Sequence, residues 1–102
     1  MEEIRNMVKP LYESGELLGF SICGDDGACV YNESFLSDEV AVRATAPFID
    51  CVKELGDSGR TVNRLSVELD DVILIYGRLP EGHALFTLGR ECDLDAVAEV
   101  LS

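Results

Sequence analysis

The chain has 102 residues, 47% of them hydrophobic, and a formal net charge of −12 from 20 acidic and 8 basic side chains. This length predicts a single domain over residues 1–102, with enough apolar side chains to fill a core. A surface with this much negative charge repels phosphate backbones and anionic lipids. Neither nucleic acid nor a membrane surface is therefore an expected partner. A basic partner would be attracted, although the charge can equally serve solubility alone.

The first residues and the cysteines predict a cytoplasmic protein. Met1-Glu2-Glu3 is acidic where a signal peptide is basic, and no apolar run approaches the ~18 residues of a membrane span. Disulfides are rare in the cytosol, and the spacing of Cys23, Cys29, Cys51 and Cys92 matches no zinc site. The cysteines are therefore predicted to be buried thiols, and no metal or cofactor is expected.

The first half of the chain has the pattern of a helix, a hairpin and a longer helix. Asp25-Asp26-Gly27 predicts a three-residue turn that sets Cys23 directly across from Cys29, where a disulfide is conceivable but a reduced pair is favoured in the cytosol. Pro47 lies inside the longer helix and predicts a kink or a short break. Apolar periodicity gives the segments Glu2 to Ser14, Leu18 to Cys23, Ala28 to Glu33, and Ser37 to about Leu55, with Ser37 as the helix cap.

The second half has the pattern of three strands and a short helix. The strands are separated by turns at Asp70-Asp71 and at Pro80-Glu81-Gly82-His83. The fold class is therefore α/β, in the order α-β-β-α-β-β-β-α, with a five-stranded antiparallel sheet and helices on both of its faces. The segments are Asn63 to Leu69, Val72 to Leu79, Ala84 to Gly89, and a helix from Cys92 or Asp93 with Leu94, Val97, Ala98 and Leu101 inward.

The middle helix carries more apolar surface than one sheet can cover. Val42, Ala46 and Ile49 form a second stripe about 130° from the first, at about 100° per residue. This second stripe predicts self-association, although singly exposed apolar residues are also tolerated on protein surfaces. The first stripe, predicted to pack on the domain's own sheet, consists of Ala41, Ala44, Phe48, Cys51, Val52 and Leu55.

Two stretches of the chain resemble the Roadblock/dynein light chain domain family. Glu16 through Gly27 resembles its strand and Asp-Gly turn, and Ser66 through Gly89 resembles its late strands. The resemblance implies a profilin-like, Roadblock-type sandwich that is not an enzyme. It also implies a homodimeric scaffold or regulator of small Ras-like GTPases or related signalling complexes, as in bacterial members. Carried onto this sequence, the implied dimer interface contains Val42, Ala46, Ile49, Leu65 and Val67.

No motif in the sequence predicts catalysis or phosphate binding in place of a protein-binding function. His83 is the only histidine and is predicted to be an exposed turn residue, so no nucleophile–base pair is expected. Asp25-Asp26 and Asp70-Asp71 fall at turns, where Asp is favoured for backbone hydrogen bonding. Gly24 and Gly27 flank a hairpin rather than opening a helix, so they form no phosphate loop. The remaining alternative is a sensory domain of similar layering, profilin-like or PAS-like, which would need a polar interior cavity for a small ligand.

Overall fold

A computed structural model describes residues 2–62 and 64–90 of the chain. The predicted order of elements is confirmed from the first helix to the fifth strand, whereas the predicted final helix from Cys92 or Asp93 lies outside the described residues. The elements are α1 (Glu2–Glu13), β1 (Leu17–Cys23), β2 (Cys29–Glu33), α2 (Asp38–Asp57), β3 (Arg64–Glu68), β4 (Val72–Leu79) and β5 (Gly82–Gly89).

The five strands form one antiparallel sheet in the order β2-β1-β5-β4-β3. The early hairpin and the late three-stranded meander join where β1 pairs with β5, from Leu17 opposite Leu88 to Cys23 opposite His83. This pairing places β5, the last of the described strands in sequence, at the centre of the sheet. The predicted five-stranded antiparallel sheet is thereby confirmed, with β2 and β3 as its edges.

The two helices cover opposite faces of the sheet, as predicted. Successive side chains of a strand point to opposite faces, so each central strand contributes to two cores. On one face, buried residues of α1 such as Val8 pack with Phe20 and Phe86. On the other face, Phe48 of α2 packs with Tyr76 and Leu85. The second core is smaller and leaves part of α2 uncovered.

Helix α2 begins where the sequence places its cap and runs through its proline. The Ser37 side chain accepts a hydrogen bond from the backbone N–H of Val40, which satisfies one of the free donors of the first turn. Pro47 does not break the helix, which extends unbroken to Asp57. Thr45 is buried although it is polar, because its hydroxyl donates to the carbonyl of Ala41, 2.7 Å away.

The turn between β4 and β5 is shorter than the sequence predicted. Only Pro80 and Glu81 form the turn, because Gly82 pairs with Leu79 and His83 already lies within β5. Gly82 has a φ of 147°, a backbone conformation that residues with a side chain rarely adopt, and it packs closely on the end of β1. The predicted fifth strand, which began at Ala84, is therefore two residues too short.

Gly82→Ala is expected to destabilise the domain by at least about 2 kcal/mol. A Cβ added at Gly82 would lie 2.5 Å from the carbonyl oxygen of Cys23, which is backbone and cannot rotate away. Gly77→Ala is the matched control, because apart from the chain neighbours no heavy atom of the described residues lies within 4 Å of the added carbon there. Urea unfolding of both variants measures the difference, and equal midpoints would show that β1 and β5 can separate at this point without loss.

Candidate protein-binding surface

Strand β3 is an open edge of the sheet. It pairs with β4 on one side, and among the described residues no strand pairs with its other side. Two apolar side chains at this edge are well exposed, Val67 at 40% and Leu69 at 41%, whereas Leu65 is half-buried. An edge strand with exposed apolar residues offers both backbone hydrogen bonds and apolar area to another chain.

An apolar groove of about 250 Å³ lies between this edge and helix α2. Phe48 is largely buried, and its ring stacks almost parallel on that of Tyr76, with centroids 6.0 Å apart. None of the described residues that line the groove is charged, although the net charge of the protein is −12. The residues that line the groove are Pro47, Phe48, Cys51, Leu65, Ser66 and Val67.

The structure divides the predicted interface between two flanks of α2. Leu65 and Val67 line the groove, but Val42, Ala46 and Ile49 do not. Ala46 is exposed and Val42 is half-buried, whereas Ile49 is half-buried and packs on the domain's own second core. The stripe formed by these three helical residues therefore lies on the flank of α2 away from the groove.

The groove flank of α2 is formed by two residues that sequence reasoning did not select. Cys51 was assigned to the stripe that packs on the sheet, but it is exposed and lines the groove instead. Pro47 was considered only as a helix breaker. At about 100° per residue the two residues lie about 40° apart around the helix and one turn from each other, so helical periodicity alone could have shown that they share one side of α2. Only the position of β3 shows that they face an open edge.

His83 lies in a polar cluster behind the groove and is not the exposed turn residue that the sequence predicted. Its side chain is 14% exposed. Its Nε2 lies 3.0 Å from a carboxylate oxygen of Asp25, and its Nδ1 lies 2.6 Å from the hydroxyl of Tyr76. A carboxylate only accepts and a guanidinium only donates. Nε2, which also lies 2.9 Å from a guanidinium nitrogen of Arg78, therefore donates to Asp25 in one neutral tautomer and accepts from Arg78 in the other, and the direction of the bond between Nδ1 and Tyr76 follows the tautomer. The pairing of β1 with β5 brings these residues together, so sequence spacing could not reveal the cluster.

Charge and burial shift the pKa values of the cluster in opposite directions. The two hydrogen bonds from the Arg78 guanidinium, and then that from His83, hold the pKa of the Asp25 carboxyl below its usual value. Burial raises the pKa of the Tyr76 hydroxyl, which stays protonated and able to donate. The cluster ties the β1–β2 turn to the β4–β5 hairpin and holds Tyr76 against Phe48, next to the groove.

Asp25→Asn is expected to lower stability at neutral pH but not in acid. The carboxyl has a lower pKa in the folded than in the unfolded chain, so its contribution is present above about pH 4 and is lost as the pH falls through the folded value. Urea unfolding of wild type and variant should therefore differ at pH 7 and converge towards pH 3. A constant difference across this range would mean that the charge of Asp25 does not act on folding.

A second cleft, of about 440 Å³, lies between α1 and β2 and has polar walls. Two of its residues are cationic, but Arg5 pairs with Glu33 at 3.4 Å and Lys9 pairs with Glu13 at 3.9 Å. Tyr12 lines the same cleft, and burial together with the charge of Glu33 raises its pKa to about 12. Because these cations already have anionic partners, the cleft favours a small anionic ligand less than its size suggests.

Two further observations concern metal binding and membrane-spanning helices. In the part of the chain that the structure describes, no group of three or more His, Cys, Asp or Glu side chains is placed to hold a metal ion. Neither α1 nor α2 is long and apolar enough to cross a bilayer.

Known structures share this arrangement of strands and helices, although no family model and no curated protein matches the sequence. A Roadblock/LC7 domain from Streptomyces avermitilis is 20% identical with a TM-score of 0.64, over 83% of this chain and 76% of that one. A second structure of a Roadblock/LC7 domain from Streptomyces avermitilis is 19% identical with a TM-score of 0.61, over 97% and 91% of the two chains. The chain has the Roadblock/LC7 fold. MglC from Myxococcus xanthus also matches, at 19% identity and a TM-score of 0.54, over 96% of this chain and 89% of that one.

The similarity to Roadblock/LC7 structures includes the part of the chain that forms the groove. The matches extend over most of each chain, so they include both α2 and the β3 edge rather than a shared hairpin. At 19–20% identity, this likeness establishes the architecture and leaves the role of individual side chains to local geometry.

Proposed function

We propose that this protein is a non-catalytic, homodimeric regulatory or scaffold domain, and that it binds a small Ras-like GTPase or a related signalling protein. The observation that carries the proposal is the uncharged groove between α2 and the open edge of β3, in a domain of the Roadblock/LC7 fold. The resemblance seen in the sequence supports the class of partner, because Roadblock-type domains serve GTPase systems.

A second copy of this chain is the proposed occupant of the groove. Two copies each carrying a net charge of −12 repel one another over most of their surfaces, so they approach most easily where charge is absent. The groove is such a place. A two-fold axis beside β3 would pair this strand with its copy and bury Val67 on both sides, continuing the sheet across the interface.

The proposed partner would bind at a surface outside this interface and complement its acidity. The charge of the domain favours a basic or neutral partner surface and accelerates its approach at low salt. The absence of catalysis is part of the proposal. Its support is that the side chain most suited to acid–base chemistry, His83, is already engaged by Asp25 and Tyr76.

The dimer is tested by light scattering of the full chain at micromolar concentration. A mass twice the 11.1 kDa of one chain supports the proposal, and a protein that stays monomeric at 100-fold higher concentration refutes self-association. Partner binding is tested separately, with purified Ras-like GTPases of the same organism loaded with GDP or with a non-hydrolysable GTP analogue. Binding that depends on the nucleotide supports a regulatory role. If the chain binds none of them, the GTPase assignment is wrong even if the dimer stands.

A further inference from the structure

The end of the β1–β2 hairpin holds two thiols directly opposite one another. Cys23 pairs with Cys29 in the register of the two strands, as the loop length predicted, and both are free thiols. Nothing in the proposed binding function uses them. Cys23 is 1% exposed, whereas Cys29 is half-buried, so solvent reaches only one member of the pair readily.

The two thiols lie on the same face of the sheet, the one that α2 covers. Ile22 belongs to the core under α1, so its neighbour Cys23 points to the α2 face. Cys29 lies against the first turn of α2, where its thiol interacts with the Asp38 carboxylate, and this charge adds to burial in raising the pKa of the thiol.

The backbone geometry at this pair is suitable for a disulfide. The N–H of Gly24 donates to the carbonyl of Ala28 at 2.9 Å, and hydrogen-bonded and non-hydrogen-bonded pairs alternate along an antiparallel ladder. Cys23 and Cys29 therefore form a non-hydrogen-bonded pair, the kind whose side chains lie closer together. Cα atoms in such pairs are about 4.5 Å apart, within the range of about 4.4–6.8 Å that disulfides span.

We propose that Cys23 and Cys29 are a reversible oxidation site, which closes to an intramolecular disulfide when the protein meets a low-molecular-weight disulfide such as oxidised glutathione. The accessible Cys29 thiolate attacks one sulfur of glutathione disulfide, releases one glutathione thiolate and forms a mixed disulfide. The Cys23 thiolate then attacks the Sγ of Cys29 and releases the second glutathione. Two protein protons leave with the two glutathione molecules, and the reagent is the species reduced.

Oxidation would change what Cys29 contacts. The reduced thiol donates to the carbonyl of Tyr31, 3.5 Å away, and also lies against Asp38. A disulfide has no S–H, so it removes the donor from both contacts and fixes the two strands beside the start of α2. The redox state of the pair would thus be coupled to the helix that lines the proposed dimer groove.

The test uses the full chain carrying Cys51→Ser and Cys92→Ser, which leaves only the proposed pair. After incubation with oxidised glutathione, the intact mass is expected to fall by two hydrogen atoms and to recover with dithiothreitol. Adding Cys23→Ser should instead trap one glutathionyl adduct on Cys29. Adding Cys29→Ser should prevent reaction in the folded protein, because Cys23 is buried.

Two results would overturn the proposal. One is a stable glutathionyl adduct on the parent protein with both thiols present, which would mean that Cys23 cannot reach Cys29. The other is no mass change at all, which would mean that Cys29 is not accessible. Circular dichroism of each variant checks that it is folded, and if Cys23→Ser fails to fold, Cys23→Ala replaces it as the variant that traps the adduct.

Discussion

Val67→Asp is expected to weaken self-association at least tenfold, which corresponds to about 1.4 kcal/mol or more. Val67 is 40% exposed at the open edge of β3 and lines the groove against α2. In an interface with two-fold symmetry the substitution enters twice, so each dimer would bury two unpaired carboxylates. The monomer should remain folded, because the side chain already meets solvent. Sedimentation equilibrium over a range of concentrations measures the change in dissociation constant.

Two control variants carry the same change of charge. Leu18→Asp introduces a carboxylate at a residue that is 48% exposed on β1, away from the groove, and should leave the dimer intact. Ala46→Asp places it on the flank of α2 that carries the predicted Val42, Ala46 and Ile49 stripe. If Ala46→Asp dissociates the dimer and Val67→Asp does not, the interface is that stripe and the groove is not used. If neither substitution has an effect, both placements are wrong.

Phe86→Ala is expected to lower the free energy of unfolding by about 3–5 kcal/mol. Phe86 is 2% exposed on the central strand β5, and its ring stacks on Phe20 with centroids 5.8 Å apart. The substitution removes a buried ring from the core under α1 and leaves a cavity there. Domains of this size are typically stable by only about 5–15 kcal/mol, so much of the folded population could be lost. Urea unfolding followed by circular dichroism measures the difference.

Phe35→Ala is the matched control for Phe86→Ala. It deletes the same ring from a side chain that is 73% exposed, so the unfolding midpoint should hardly move. If Phe86→Ala gives no folded protein, Phe86→Leu replaces it with a smaller expected loss, because more of the volume is kept. Equal stabilities for Phe35→Ala and Phe86→Ala would contradict the position of β5 at the centre of the sheet.

Local patterns in the sequence were sufficient to predict the helices and strands and their order along the chain. The cap at Ser37, the alternation in β1 and the apolar run of β4 each depend on residues within a few positions of one another. The register of Cys23 with Cys29 is also a local feature, because the short loop between the two strands fixes it. The presence of five antiparallel strands with helices on both faces followed from adding these local features together.

The candidate site could be predicted only in part. Leu65 and Val67 were selected because the family resemblance implied an interface at this strand, and the structure places both beside the groove. Cys51 was assigned to the wrong side of α2, because a count of apolar residues ignores the buried Thr45, which shifts the centre of the covered face. His83 was assigned to a turn, because Gly82 is an expected turn residue but pairs here with Leu79.

The sequence by itself determined the fold class, the helix cap, the cysteine register and the absence of any motif for nucleotide or metal binding, because each depends on neighbours along the chain. Only the tertiary structure decided that β1 pairs with β5, that Asp25, Arg78 and His83 meet, and that β3 is left as an open edge beside Pro47 and Cys51. These contacts join residues dozens of positions apart. Their partners are set by which apolar faces can be buried together, and no local pattern records that choice.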